Sequence, residues 1–186
     1  MAVASWGNED PQFGGTVPGG SADSIVTTQA GVAIGPALAV GTVRRFRDTT
    51  GKYGAGEFIY LPGVASLAVG DVVTYVLSAG VSYTDAAVVR WTGTANTGAP
   101  IAIATTANTA ASQFSWYQIQ GGAVVNTSGT VAANDKAYFA QTATLGSTAV
   151  GGKQVLGVTA SSANGVPASN QAIYTLDFPC VQSQIT

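Results

Sequence analysis

The chain has no histidine, one cysteine and one methionine among its 186 residues. Without histidine there is no Ser-His-Asp or Cys-His catalysis, no imidazole general base, and no common zinc or non-haem iron site. One cysteine, Cys180, allows neither an internal disulfide nor a cysteine-ligated cluster. Charged residues make up only 9% of the chain, against a typical ~25%, and the net charge is −2. Such a surface exerts no broad pull on nucleic acid or on acidic lipid. No apolar run approaches the ~20 residues of a membrane helix. The opening MAVASWGNEDPQ has neither a basic stretch nor an unbroken apolar one, so it is not expected to act as a secretory leader.

Phosphate and dinucleotide signatures also fail. Gly151-Gly152-Lys153 is followed by Gln154, where a phosphate loop needs Ser or Thr. Gly54-Ala55-Gly56 precedes a strand pattern, not a helix. The nine carboxylates are scattered. They leave open a carbohydrate-active enzyme with two acids about 5–9.5 Å apart, a separation that only a fold can display. No metal and no cofactor is expected.

What is abundant is glycine, 24 in all, together with Val, Thr, Ser and Ala. This balance favours strands and turns over helix. Ser24 to Val40 is β-branched and apolar around Gly35-Pro36, and Val43 to Arg47 holds three of the seven basic residues. On a strand, Val43, Arg45 and Arg47 share one face while Arg44 and Phe46 take the other. A strand pair is expected over 81–91, and further strands at 57–61, 72–75, 101–103, 137–141, 153–159 and 171–178, the last closed by Pro179. The densest aromatic stretch, Phe114 to Tyr138, reads as apolar run, glycine pair Gly121-Gly122, apolar run, which is the pattern of a hairpin.

One motif occurs twice. Leu67-Ala68-Val69-Gly70-Asp71 and Val131-Ala132-Ala133-Asn134-Asp135 each lead into a strand with a tyrosine. Gly and Asn are the residues that best accept positive φ, and an Asp after them bonds nearby amides, so each copy predicts a tight turn. Both aspartates are expected to be structural. Trp91, Trp116 and Tyr117 are expected in packing roles, in the core or at an interface.

The expected fold is all-β. It is a single-domain β-sandwich or barrel (jelly-roll or tulip-like) of about nine or ten short strands over residues 24–186. Residues 1–23, with Trp6, Phe13, two prolines and two glycine pairs, predict an extended N-terminal arm whose aromatics dock on a neighbour.

Three segments in order, EFIYLPGVASLAVGD (57–71), Ser115 to Tyr138, and Lys153 to Ala160 followed by Tyr174 to Pro179, carry a cadence. It runs from a strand to Gly-Asp before a strand, then W-x-Q-I-x-G, V-A-x-x-D-x-A-Y, V-x-G-V and a terminal strand with Pro. The cadence resembles the small decoration, or cement, proteins on the heads of tailed bacteriophages. That resemblance implies a non-enzymatic virion protein on the outer surface of an icosahedral head, synthesised in the bacterial host cytoplasm. It would form homotrimers and clamp neighbouring subunits of the major capsid protein, with no nucleic-acid or membrane partner. On this reading Trp6, Phe13, Arg44, Arg45 and Arg47 are the candidate capsid contacts, and Trp116, Tyr117 and Gln118 the candidate oligomer interface. A trimeric tail-spike or fibre head domain binding host-surface glycans is the alternative.

Overall fold

A computed structural model of the chain describes residues 38–77, 86–108, 110 and 112–184, and the backbone of four short strands at 6–8, 23–24, 27–28 and 32–33. Among the described residues every regular element is a strand, as the composition predicts. In chain order these are β1 (Trp6–Asn8), β2 (Asp23–Ser24), β3 (Thr27–Thr28), β4 (Val32–Ala33), β5 (Val43–Asp48), β6 (Ala55–Pro62) and β7 (Val72–Leu77). There follow β8 (Ala86–Arg90), β9 (Ile101–Ala104), β10 (Gln113–Asn126), β11 (Lys136–Gln141), β12 (Thr144–Gly146), β13 (Gln154–Ala160) and β14 (Gln171–Val181). Strands β3 and β4 pair only with each other. The other twelve share one antiparallel sheet, curled into a half-barrel, with the path β1-β5-β6-β10-β14-β13-β11-β12, a branch through β9, β7 and β8, and β2 paired to β10.

Strand β10 is the trunk. Its first half pairs with β6, from Phe114 opposite Pro62 to Gln118 opposite Phe58, and with β9 at Tyr117 opposite Ala104. Its second half pairs with β14, from Gln120 opposite Asp177 to Asn126 opposite Gln171. The hairpin expected at Gly121-Gly122 is therefore corrected: the chain runs straight through. Gly121 has φ +93°, and a Cβ there would collide with the Ala55 carbonyl. The glycines permit a close crossing of β6 and β10, not a reversal. A bulge sits between Gln118 and Gln120. Gln118 Nε2 secures it by donating to the carbonyls of Gln120 and Gly122, each at 3.0 Å. Pro179 does not close the last strand either; β14 continues to Val181. The buried–exposed alternation holds through Tyr174, Leu176 and Asp177, then breaks at Phe178, whose φ is +45°.

Both faces of the trunk are buried from Phe114 to Ile119, and one face beyond Gly122. Ile59, Leu61, Val73, Ala104 and Tyr117 pack on one side of the first half. Val125, Leu145, Val155, Tyr174 and Leu176 fill the second half, joined by Ile101 and Ile103 of β9. The opposite face of β5, β6 and β10 carries Phe46, Phe58, Tyr60, Phe114 and Trp116. There Trp116 meets Phe46 and Tyr60 edge-on, at centroid separations of 5.0 and 5.3 Å. Alternate residues of β6 thus enter different clusters, Phe58 and Tyr60 against Ile59 and Leu61, as a period of two requires.

The two halves repeat one plan. Strand β7 pairs with β8 and β9, and β11 pairs with β12 and β13. Ala104 lies opposite Tyr117, and Ala160 opposite Tyr174. Asn108 N donates to Leu67 O at 3.0 Å, and Asn164 N to Val131 O at 3.0 Å. Gly63 N donates to Gln113 O, and Thr127 N to Asn170 O. The repeat extends well beyond the one echoed turn visible in the sequence.

Candidate functional site

The basic strand β5 lies near one end of the sheet. Val43 pairs with Ile59, Arg45 with Glu57 and Arg47 with Ala55, so these three share a face and are exposed. Arg44 and Phe46 pair with Phe58 and Gly56 on the aromatic side, where Phe46 is buried. The face assignment read from the sequence is thus the one observed. The outer edge of β5 takes β1: Trp6 stands opposite Asp48, Gly7 opposite Arg47 and Asn8 opposite Phe46. The N-terminal segment therefore adds a strand to its own sheet at this point. Phe13 lies outside the described residues.

Strand β5 ends in a carboxylate nest. Asp48, 3% exposed, accepts hydrogen bonds from the Thr50, Lys52 and Tyr53 amides at 2.8–2.9 Å and from the Thr50 hydroxyl. Burial pushes its carboxyl upward, but these bonds together outweigh burial and hold it below the ordinary aspartate value. This loop fixes the end of the basic strand through backbone amides and the Thr50 hydroxyl.

Trp116, Tyr117 and Gln118 are inside the chain, at 1, 0 and 2% exposure. Trp116 belongs to the aromatic cluster and Gln118 ties the bulge. The Tyr117 hydroxyl donates to Pro62 O at 3.0 Å and receives Asn108 Nδ2 at 3.3 Å. Burial pushes that hydroxyl up to about 12. Side chains so enclosed offer no surface to a second copy, which corrects their assignment to an oligomer interface. Trp91 is likewise buried, edge-on to Phe139. None of these rings forms the exposed shelf that a glycan site requires.

The two echoed aspartates are also structural. Asp71 accepts from the Ala68 amide at 3.1 Å and from Asn126 Nδ2 at 2.9 Å, and pairs with Arg90 at 3.0 Å. Asp135 accepts from the Ala132 amide at 2.8 Å. Among the described residues no group of three or more acidic or cysteine side chains is placed to hold a metal.

A different surface was missed by the sequence reading. Val76, Leu77 and Val89 of the β7–β8 hairpin are 58, 49 and 57% exposed. The run VVTYVL does not alternate, so it reads as a strand buried on both faces, and nothing in it marks the exposure. Compared with known proteins, the chain matches no family model, no curated protein and no solved structure.

Proposed function

We propose that the chain is a non-enzymatic structural protein of a tailed-bacteriophage virion, which binds the outer face of the icosahedral head and clamps neighbouring subunits of the major capsid protein. One observation supports this most directly: the N-terminal segment adds as an edge strand to β5, the strand that carries three arginines. An arm that pairs by backbone hydrogen bonds is the type of element that joins subunits by strand addition. Exposed Arg45 and Arg47 beside it provide electrostatic register. Each such contact is weak, and simultaneous attachment through several protomers multiplies occupancy through effective concentration. A trimer is part of this proposal, with its interface elsewhere than at Trp116.

The test is co-sedimentation of the purified chain with empty phage heads. The full chain binds. Removal of residues 1–23 and, separately, Arg47→Glu each lower affinity by about tenfold, a loss of about 1.4 kcal/mol. Arg47 is the better probe because Arg45 faces Glu57, so a reversed charge there sets two acids opposite each other. Equal binding by all three proteins would remove the role of the arm and of β5. No binding by the full chain would remove the capsid reading itself.

A further inference from the structure

Charge is unevenly distributed along the chain. Residues 1–23 hold three acids, Glu9, Asp10 and Asp23, and no lysine or arginine. Strand β5 holds Arg44, Arg45 and Arg47 within six residues. The ladder between β1 and β5 joins these two segments. Its register is Trp6 opposite Asp48, Gly7 opposite Arg47 and Asn8 opposite Phe46.

An antiparallel ladder counts up one strand as it counts down the other, and residues directly opposite share a face. The two residues after Asn8 are Glu9 and Asp10; the two before Phe46 are Arg45 and Arg44. Two further pairs in the same register set an acid against an arginine both times. A slip of one residue in either direction would leave one acid facing Phe46 or Val43, so only the observed register matches both charges. The next residue is Pro11, which has no amide hydrogen to give and so ends the run.

The two arginines sit in different surroundings. Arg45 is exposed, with Glu57 opposite it on β6. Arg44 is half-buried on the aromatic side, opposite Phe58. A partly desolvated guanidinium gains more from an opposing carboxylate than an exposed one does. Gly7, opposite Arg47, has no side chain to offer.

We infer that the outer edge of β5 is a docking site for an extended acidic segment, and that the chain's own arm fills it, with Glu9 against Arg45 and Asp10 against Arg44. Strand addition supplies the backbone bonds, and the two charge pairs fix the register. The inference does not rest on the capsid reading, and of the three arginines it leaves Arg47 for a shell contact.

Hydrogen exchange at the amides of residues 6–8 and 43–48 tests it in the full-length protein, with no phage heads present. The proteins are the full chain, Glu9→Gln/Asp10→Asn, Asp10→Arg, Arg44→Asp, and Asp10→Arg combined with Arg44→Asp. Arg44 is chosen for the swap because Arg45 also faces Glu57. At low salt Glu9→Gln/Asp10→Asn and each single reversal are expected to exchange about fivefold faster than the full chain, and the swapped pair to return within about twofold of it. Salt at about 0.5 M is expected to erase the difference between the full chain and Glu9→Gln/Asp10→Asn. Exchange of Glu9→Gln/Asp10→Asn at the full chain's rate overturns the inference, and so does a swapped pair that stays as fast as Arg44→Asp. Should the Arg44 variants not fold, Glu9→Gln/Asp10→Asn decides, because it alters the arm alone. Protection that rises with protein concentration makes the arm of a second copy the occupant and overturns the assignment to the chain's own arm. Failure here leaves the capsid reading standing, since that reading is decided by head binding.

Discussion

The turns at Leu67–Asp71 and Val131–Asp135 are the same object in two settings. In each, the aspartate amide donates to the carbonyl three residues back, at 3.2 Å, and the carboxylate accepts from the amide of that residue. In each, the residue before the aspartate has positive φ, +87° at Gly70 and +70° at Asn134. Each also docks identically on an alanine: Gly70 N on Ala104 O and Ala104 N on Asp71 O, against Asn134 N on Ala160 O and Ala160 N on Asp135 O. The settings differ in depth. Asp71 is 4% exposed and linked to Arg90 and, through Asn126, to Gln171, while Asp135 is half-buried. Backbone geometry alone therefore dictates the Asp, and the surroundings dictate what each substitution costs.

The largest expected effect separates the two aspartates. Asp71→Ala leaves the Ala68 amide and one Asn126 proton without their acceptor, and Arg90 without its counter-ion. The expected loss is about 2–4 kcal/mol, below the full cost of breaking a wholly buried pair because Arg90 is itself partly solvated. Asp135→Ala loses one side-chain-to-amide bond, about 0.5–1 kcal/mol. Urea unfolding of both variants measures the gap. Equal losses would mean that the Arg90–Asn126 network adds nothing to the shared turn.

Exchanging the residues before the aspartates is expected to act more weakly and asymmetrically. At Gly70 a Cβ would stand 2.9 Å from Asn126 Oδ1, so Gly70→Asn displaces a side chain that Asp71 uses and costs about 1–3 kcal/mol. At Asn134 the side chain is exposed and φ already suits glycine, so Asn134→Gly stays within about 0.5 kcal/mol. Thermal midpoints check both. A tolerated Gly70→Asn would show that Asn126 has room to move.

These turns were legible in the sequence because their geometry is local: a φ > 0 residue, then an acid that folds back on its own amides. Face assignments on β5 and in most of β14 were legible for the same reason, since a strand has period two. What was not legible depends on elements distant in the chain. Whether Gly121-Gly122 reverses the chain or lets two strands cross is decided by Ala55, some 65 residues earlier. Whether Trp116 faces a partner or a core is decided by Phe46 and Tyr60 beneath it. The duplication leaves only a few matched identities, among them Asp71 with Asp135, Ala104 with Ala160 and Tyr117 with Tyr174, too few to align without the hydrogen bonds that pair them. Exposure of Val76 and Val89 was hidden because a β-branched run looks the same whether its second face is covered or bare.

Asp48 extends the comparison to a third acidic turn, and its effect is the smallest because it appears only in acid. It has no ion pair among its contacts above; its partners are amides and a hydroxyl of its own loop. Burial opposes its ionisation, and the bonds from Thr50, Tyr53 and Lys52 overcome burial, so its folded pKa lies below the ordinary value. A carboxyl with a depressed folded pKa contributes stability that is fully present above the unfolded pKa, about 3.9, and is lost as pH falls through the folded one. The chain should therefore lose stability below about pH 4 more steeply than Asp48→Asn, which has no proton to take up at this position. Between pH 5 and 8 the difference between the two proteins should be constant. Urea midpoints measured from pH 2.5 to 8 test this, and parallel curves across the acid range would show that the nest does not favour the charged form.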